Sequence, residues 1–147
     1  MNAEKEKFIS EISSLLNLQA YTIMPQKLNY KTLKSISSCI YPSVTKWLKC
    51  FMDAKFIVTD SYHGCVFSII FNKPFIALGN KGRGLDRFKS LLELFNLENR
   101  LVLDGSARQY KSVIFESIDW NSVNMIKKNM SDESMSFLKK SLHNERD

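Results

Sequence analysis

Apolar residues recur along this chain with two periods, one helical and one strand-like, and the switches between them divide it into short elements. From Lys5 to Leu16 the positions Phe8, Ile9, Ile12, Leu15 and Leu16 describe one face of an amphipathic helix. Ala20 to Met24 is short, rich in strand formers and stopped by Pro25, which predicts a first strand. Gln26 to Cys39 carries only a weak pattern. Pro42-Ser43 opens a second helix, with Ser43 as N-cap and Val44, Trp47, Leu48 and Phe51 on one face, ending near Asp53-Ala54.

Phe56-Ile57-Val58 is apolar without alternation, as a strand covered on both faces requires, and is predicted to be central in a parallel sheet. After Gly64, the residues Val66, Phe67, Ile69, Ile70 and Phe71 predict an apolar helix ending at Asn72-Lys73, and Phe75 to Leu78 the next strand. A glycine-rich basic loop, Gly79 to Gly84, leads to a helix over Asp86–Phe95 whose Phe88, Leu91, Leu92 and Phe95 face inward. Arg100 to Leu103 predicts a fourth strand and Gly105 to Tyr110 a loop. Val113-Ile114-Phe115 suggests an edge element, and Asn121 to His143 one helix or two.

Helices alternating with short apolar strands predict an α/β domain, a Rossmann-like three-layer arrangement with a mostly parallel sheet. The expected domain is a single one spanning residues 1–147, without repeat or linker. It opens on a helix where a doubly wound domain ordinarily opens on a strand, so an upstream piece is expected to be missing.

Composition narrows the function. With 44% hydrophobic and 24% charged residues the chain is not a disordered one, and no apolar run approaches the roughly 20 residues a membrane span needs. A cytoplasmic protein is expected. Cys39, Cys50 and Cys65 form no C-x-x-C pair and only two histidines are present, so neither a disulfide framework nor a metal site is predicted. The net charge of +6 suits an anionic ligand. Its basic residues are too dispersed for a nucleic-acid surface.

The segment Thr59-Asp60-Ser61-Tyr62-His63-Gly64 lies where a buried strand hands over to a helix. Ligands of open α/β sheets bind at the carboxyl ends of strands, and a helix N-terminus offers N–H groups and a positive dipole to phosphate or carboxylate. His63 is placed to donate a hydrogen bond or exchange a proton there, and Gly64 to let the backbone approach the ligand. Asp60 and Ser61 serving only as caps is the competing reading. The clustering of polar groups between two very apolar elements favours a site.

A second candidate is Asn80-Lys81-Gly82-Arg83-Gly84-Leu85-Asp86-Arg87, after the next strand and so on the same rim. Arg83 and Arg87 suit bidentate binding of carboxylate or phosphate, although a solvated basic turn would read the same. The spacing is neither a Walker A motif nor a dinucleotide fingerprint. Cys65, at an apolar helix start, reads as a packing residue, and Trp47 and Trp120 as core anchors.

Trp47-Leu48, the run from Asp53 through Thr59-Asp60-Ser61-Tyr62-His63-Gly64, Val66 to Phe75, Arg83-Gly84, Arg87-Phe88, Ser90-Leu91-Leu92 and Arg100-Leu101-Val102 together resemble the C-terminal half of the polysaccharide pyruvyl transferase family. The resemblance covers most of residues 1–103 and is densest from 42 on. It implies a Rossmann-like half of a GT-B-like fold, the N-terminal half being absent. It further implies transfer of the pyruvyl group of phosphoenolpyruvate to two sugar hydroxyls of a cell-surface or exported polysaccharide, as a cyclic ketal.

By position His63 is then the phosphoenolpyruvate-contacting histidine and general acid, assisted by Asp60. Ser61, Tyr62 and Gly64 frame the phosphate, Arg83 and Arg87 hold carboxylate or phosphate, and Asn80 and Lys81 touch the acceptor. The implied partners are phosphoenolpyruvate as donor substrate, with no cofactor or metal, a saccharide acceptor and the missing N-terminal domain. The implied location is the cytoplasm or the inner face of the membrane. Two other readings of the residues stay open: a noncatalytic phosphate- or nucleotide-binding remnant, and half of a sugar-nucleotide glycosyltransferase.

Overall fold

The computed structural model describes residues 3–23, 25, 39–79, 84–103 and 110–144. In chain order the elements are α1 (Ala3–Leu16), α2 (Val44–Asp53), β1 (Ile57–Thr59), α3 (Tyr62–Ile70), β2 (Phe75–Gly79), α4 (Leu85–Leu94), a 3-10 turn (Glu98–Arg100), β3 (Leu101–Leu103), α5 (Tyr110–Val113) and α6 (Trp120–Asn144). The three strands form one parallel sheet in the order β1-β2-β3. Ile57 pairs with Phe75 and Thr59 with Ala77, while Ala77 and Gly79 pair with Leu101 and Leu103.

Alternation along the strands sends side chains to two separate cores. Ile57, Phe75 and Ala77 join Phe51, Cys65, Ile69, Phe88 and Leu92 on the face covered by α2, α3 and α4. Ile76 and Val102 point the other way, into a smaller core closed by Ile12 of α1 and by Tyr110 and Ile114 at α5. Helices thus lie on both faces, and the α/β expectation is met by three layers around a small parallel sheet.

Three helices stop in the same manner. Asn17, Asn72 and Asn96 follow α1, α3 and α4 with φ of 51°, 51° and 56°, the left-handed conformation that asparagine tolerates better than most residues. Beyond each, a backbone N–H reaches five residues back: Leu18 to Ser13 O at 3.0 Å, Lys73 to Ser68 O at 2.8 Å and Leu97 to Leu92 O at 2.8 Å. These bonds absorb carbonyls the helix ends would leave unpaired. They return the chain to the next strand within a few residues.

Several expectations need correction. Ala20 to Ile23 pairs with no strand, and Tyr21 is 74% exposed. Strand-forming residues become a strand only when a neighbouring backbone completes the ladder. Among the described residues β1 stands at the edge of the sheet, because a continuous apolar run reports cover on both faces and not a neighbour on both sides. Val113 belongs to the short helix α5, which Tyr110 opens, and Val113 and Ile114 are buried as helix-side residues; no edge strand forms there. Val44, assigned to the buried face of α2, is 72% exposed. The segment from Asn121 to His143 lies in one continuous helix. Residues 26–38 and 80–83, and 105–109 of the loop expected up to Tyr110, lie outside the described residues.

Arg100 is buried in the turn before β3 and donates to Val113 O at 2.7 Å and Glu116 O at 2.9 Å. Burial lowers its pKa, against which the nearby Glu116 carboxylate acts. Those two bonds hold the chain after α5 against β3.

Candidate functional site

The carboxyl ends of β1 and β2 lie side by side in the parallel sheet, and each leads directly into a helix, so α3 and α4 begin on the same rim. At the first, Thr59 Oγ1 accepts a hydrogen bond from Ser61 N at 3.1 Å, which tightens the turn between strand and helix. Ser61 occupies the N-cap of α3 in extended backbone, but its side chain makes no capping hydrogen bond. The first-turn N–H groups are therefore not claimed by the residue that usually claims them. His63 stands exposed on that turn.

Gly64 is indispensable here for an internal reason. A Cβ on it would lie 2.0 Å from Thr59 Oγ1, so the first turn of α3 packs directly on the end of β1. The Gly64 carbonyl then accepts a hydrogen bond from the buried Ser68 hydroxyl at 2.7 Å. The sequence suggested close approach to a ligand; the close neighbour is the protein's own threonine.

Tyr62 joins the two helix starts. Half-buried, it meets Phe88 of α4 edge-on with centroids 6.3 Å apart, and His63 with centroids 6.0 Å apart. The Arg87 guanidinium lies 5.9 Å from its ring centroid, in cation–π range. Arg87 in turn lies close over Gly84, which begins α4 at φ 63° with no side-chain cap; a Cβ there would stand 2.9 Å from an Arg87 nitrogen. An open depression follows between the helices, lined by Tyr62, Asp86, Arg87, Ser90, Leu91 and Leu94.

Of the residues singled out from sequence, the structure brings Asp60, Ser61, Tyr62, His63 and Gly64 together with Arg87. Asn80, Lys81 and Arg83 lie outside the described residues. Asp60 is exposed and its Oδ2 accepts a hydrogen bond from Lys5 Nζ at 2.5 Å. Lys5 had no sequence signal, because it sits on α1 and meets the turn only across the fold. Asp86, part of the second candidate segment, lines this depression too, as does Ser90, whose spacing of three residues from Arg87 on α4 was the available clue. Cys65 is fully buried and burial pushes its thiol up to about 12, so it is protonated at neutral pH and serves packing.

This rim presents an exposed imidazole, a guanidinium and two helix starts without side-chain caps. Such a set can hold an anion and pass it a proton. A family model for polysaccharide pyruvyl transferase matches residues 2–82, more than half of the chain, a span that includes α1 to β2. No curated protein and no solved structure matches the chain significantly.

Proposed function

Because the chain belongs to the polysaccharide pyruvyl transferase family, we propose that its β1–α3 turn binds phosphoenolpyruvate for transfer of the pyruvyl group to two hydroxyls of a saccharide. The observation carrying this reading is the start of α3, where first-turn N–H groups left uncapped by Ser61 stand beside exposed His63 and, through Tyr62, beside Arg87. A trianionic donor needs such a surface more than a neutral one does.

The chemistry requires a proton on the methylene carbon of phosphoenolpyruvate, which makes C2 electrophilic. One sugar hydroxyl adds to C2, phosphate leaves, and a second hydroxyl closes the cyclic ketal. Of the two hydroxyl protons lost, one balances the proton delivered to carbon and the other departs with phosphate. His63 is the proton donor in this scheme. The backbone of Ser61, Tyr62 and Gly64 frames the phosphate, and Arg87, with Arg83, neutralises carboxylate or phosphate. Asp60, tied to Lys5, fixes the turn that orients His63. Asn80 and Lys81 are assigned to the acceptor, whose other contacts come from a second Rossmann-like half in a GT-B-like arrangement.

Arg87 lies beyond the residues that the family model matches, so its assignment stands on its contact with Tyr62. Calorimetry with phosphoenolpyruvate tests the donor half of this scheme directly. Binding that weakens at least tenfold in His63→Ala is expected. Absence of binding, or a His63→Ala variant that binds as the parent does, overturns it. Phosphate release on addition of acceptor saccharides tests the transfer step.

A further inference from the structure

One side of α4 carries chemistry that the anion site does not use. Asp86, Ser90 and Leu94 stand four residues apart and form one row along the helix. Arg87 and Leu91 form the next row, and beyond it Phe88, Leu92 and Phe95 turn into the core. The first two rows, with Tyr62 of α3, line the open depression. Its polar end lies at the start of α4, on the rim shared with the start of α3. Its apolar end lies about 12 Å further along the helix.

The polar end holds charges of both signs, and they are differently engaged. Arg87 lies over the Tyr62 ring. Asp86 belongs to neither of the ion pairs present among the described residues, Lys5–Asp60 and Lys111–Glu11. Ser14 and Ser68 donate their hydroxyls to the carbonyl four residues back; among the described residues the Ser90 hydroxyl has no such acceptor. A carboxylate and a hydroxyl one helical turn apart therefore stay available to the depression.

A carboxylate repels a trianionic donor, so Asp86 does not serve the phosphoenolpyruvate side of the rim. It suits hydroxyl groups: its two oxygens accept from two neighbouring hydroxyls at once, and Ser90 both donates and accepts. Tyr62, Leu91 and Leu94 supply apolar surface for the C–H faces of a sugar ring. A nucleotide is less suited to this place, because its phosphates would face Asp86 and a guanidinium already lies over the ring on which its base would stack.

We propose that this depression is the acceptor subsite, in which Asp86 and Ser90 bind saccharide hydroxyls other than the pair that becomes the ketal, and so select the acceptor. The inference rests on the donor reading of the β1–α3 turn, which puts the reacting pair toward His63 and leaves the far side of the sugar to α4.

Saturation-transfer NMR on the full chain tests this, with phosphoenolpyruvate present and methyl β-galactoside or methyl β-glucoside as the probe. One or both glycosides are expected to take up saturation. Asp86→Asn should weaken that binding about tenfold and Ser90→Ala about threefold, with Asp86→Glu recovering part of the loss. Phosphoenolpyruvate affinity, by calorimetry, should hold or rise in Asp86→Asn, since a negative charge has left the rim. An Asp86 that served only the dipole of α4 would lower the denaturation midpoint on substitution and leave the glycoside untouched. That result overturns the proposal, as does a parent that saturates neither glycoside or one from which uridine diphosphate displaces them. A parent that binds a glycoside through Asp86 but binds no phosphoenolpyruvate upholds the subsite and sinks the donor reading instead.

Discussion

Ser43 and Ser61 hold the same position at the starts of α2 and α3, both in extended backbone, yet Ser43 accepts a hydrogen bond from Lys46 N at 3.3 Å and Ser61 accepts none from its helix. The start of α6 sides with α2: Asp119 Oδ1 accepts from Asn121 N at 3.1 Å and Ser122 N at 3.2 Å, and its Oδ2 from the Ser122 hydroxyl at 2.6 Å. The start of α4, at Gly84, sides with α3. Of these four helix starts, the two that directly follow strands, those of α3 and α4, are the ones without side-chain caps. A capped start spends its donors on stability; an uncapped one at the carboxyl end of a sheet keeps them for an outside acceptor.

The harshest way to break the α3 side of this contrast is Gly64→Ala. The added methyl meets Thr59 Oγ1 and the neighbouring backbone must move, so a loss of about 3 kcal/mol in chemical denaturation is expected, together with loss of phosphoenolpyruvate binding. His63→Ala should leave the denaturation midpoint unchanged while weakening that binding tenfold to a hundredfold, the loss of one charge-assisted hydrogen bond to the ligand.

The paired serine substitutions sharpen the contrast itself. Ser43→Ala is expected to cost about 1 kcal/mol, as loss of a working N-cap does. Ser61→Ala should cost little stability and instead lower affinity for the anion, measured by calorimetry. Equal destabilisation by both would show that the two starts are not different in kind.

The smallest effect is in acid. Hydrogen bonds from the Ser122 side chain and backbone hold the Asp119 carboxyl below its ordinary value, and the Lys111 side chain, followed by Tyr110, does the same for Glu11. Both folded-state values are depressed. Their contribution is therefore complete above the ordinary carboxylate range and is lost as pH falls through the folded values. A thermal midpoint that declines below about pH 4, less steeply in Glu11→Gln, is the expected outcome.

Most element identities were legible in the residues because helical and strand spacing are local properties. Phe88, Leu91, Leu92 and Phe95 mark the inner face of α4 with no knowledge of what they touch, and asparagine marks the end of α3 through its own backbone tolerance. The turn from Thr59 to Gly64 was legible for the same reason: an apolar strand, a polar break and an apolar helix are contiguous. Hydrophobic spacing, however, says that a face is buried and not which neighbour buries it.

Everything that depended on a neighbour distant along the chain had to come from the fold. Ala20 to Ile23 carries strand residues but finds no ladder, and Phe56-Ile57-Val58 is covered on both faces while standing, among the described residues, at an edge. Lys5 reaches Asp60 from another element, Thr59 fills the space that Gly64 leaves, and Arg87 lies over Tyr62. Local periodicity could name the turn as a place for an anion. Parallel pairing of β1 with β2, with pleating that sends alternate side chains to opposite cores, is what aligned two helix starts on one rim and brought a guanidinium to the ring of Tyr62, the histidine's neighbour.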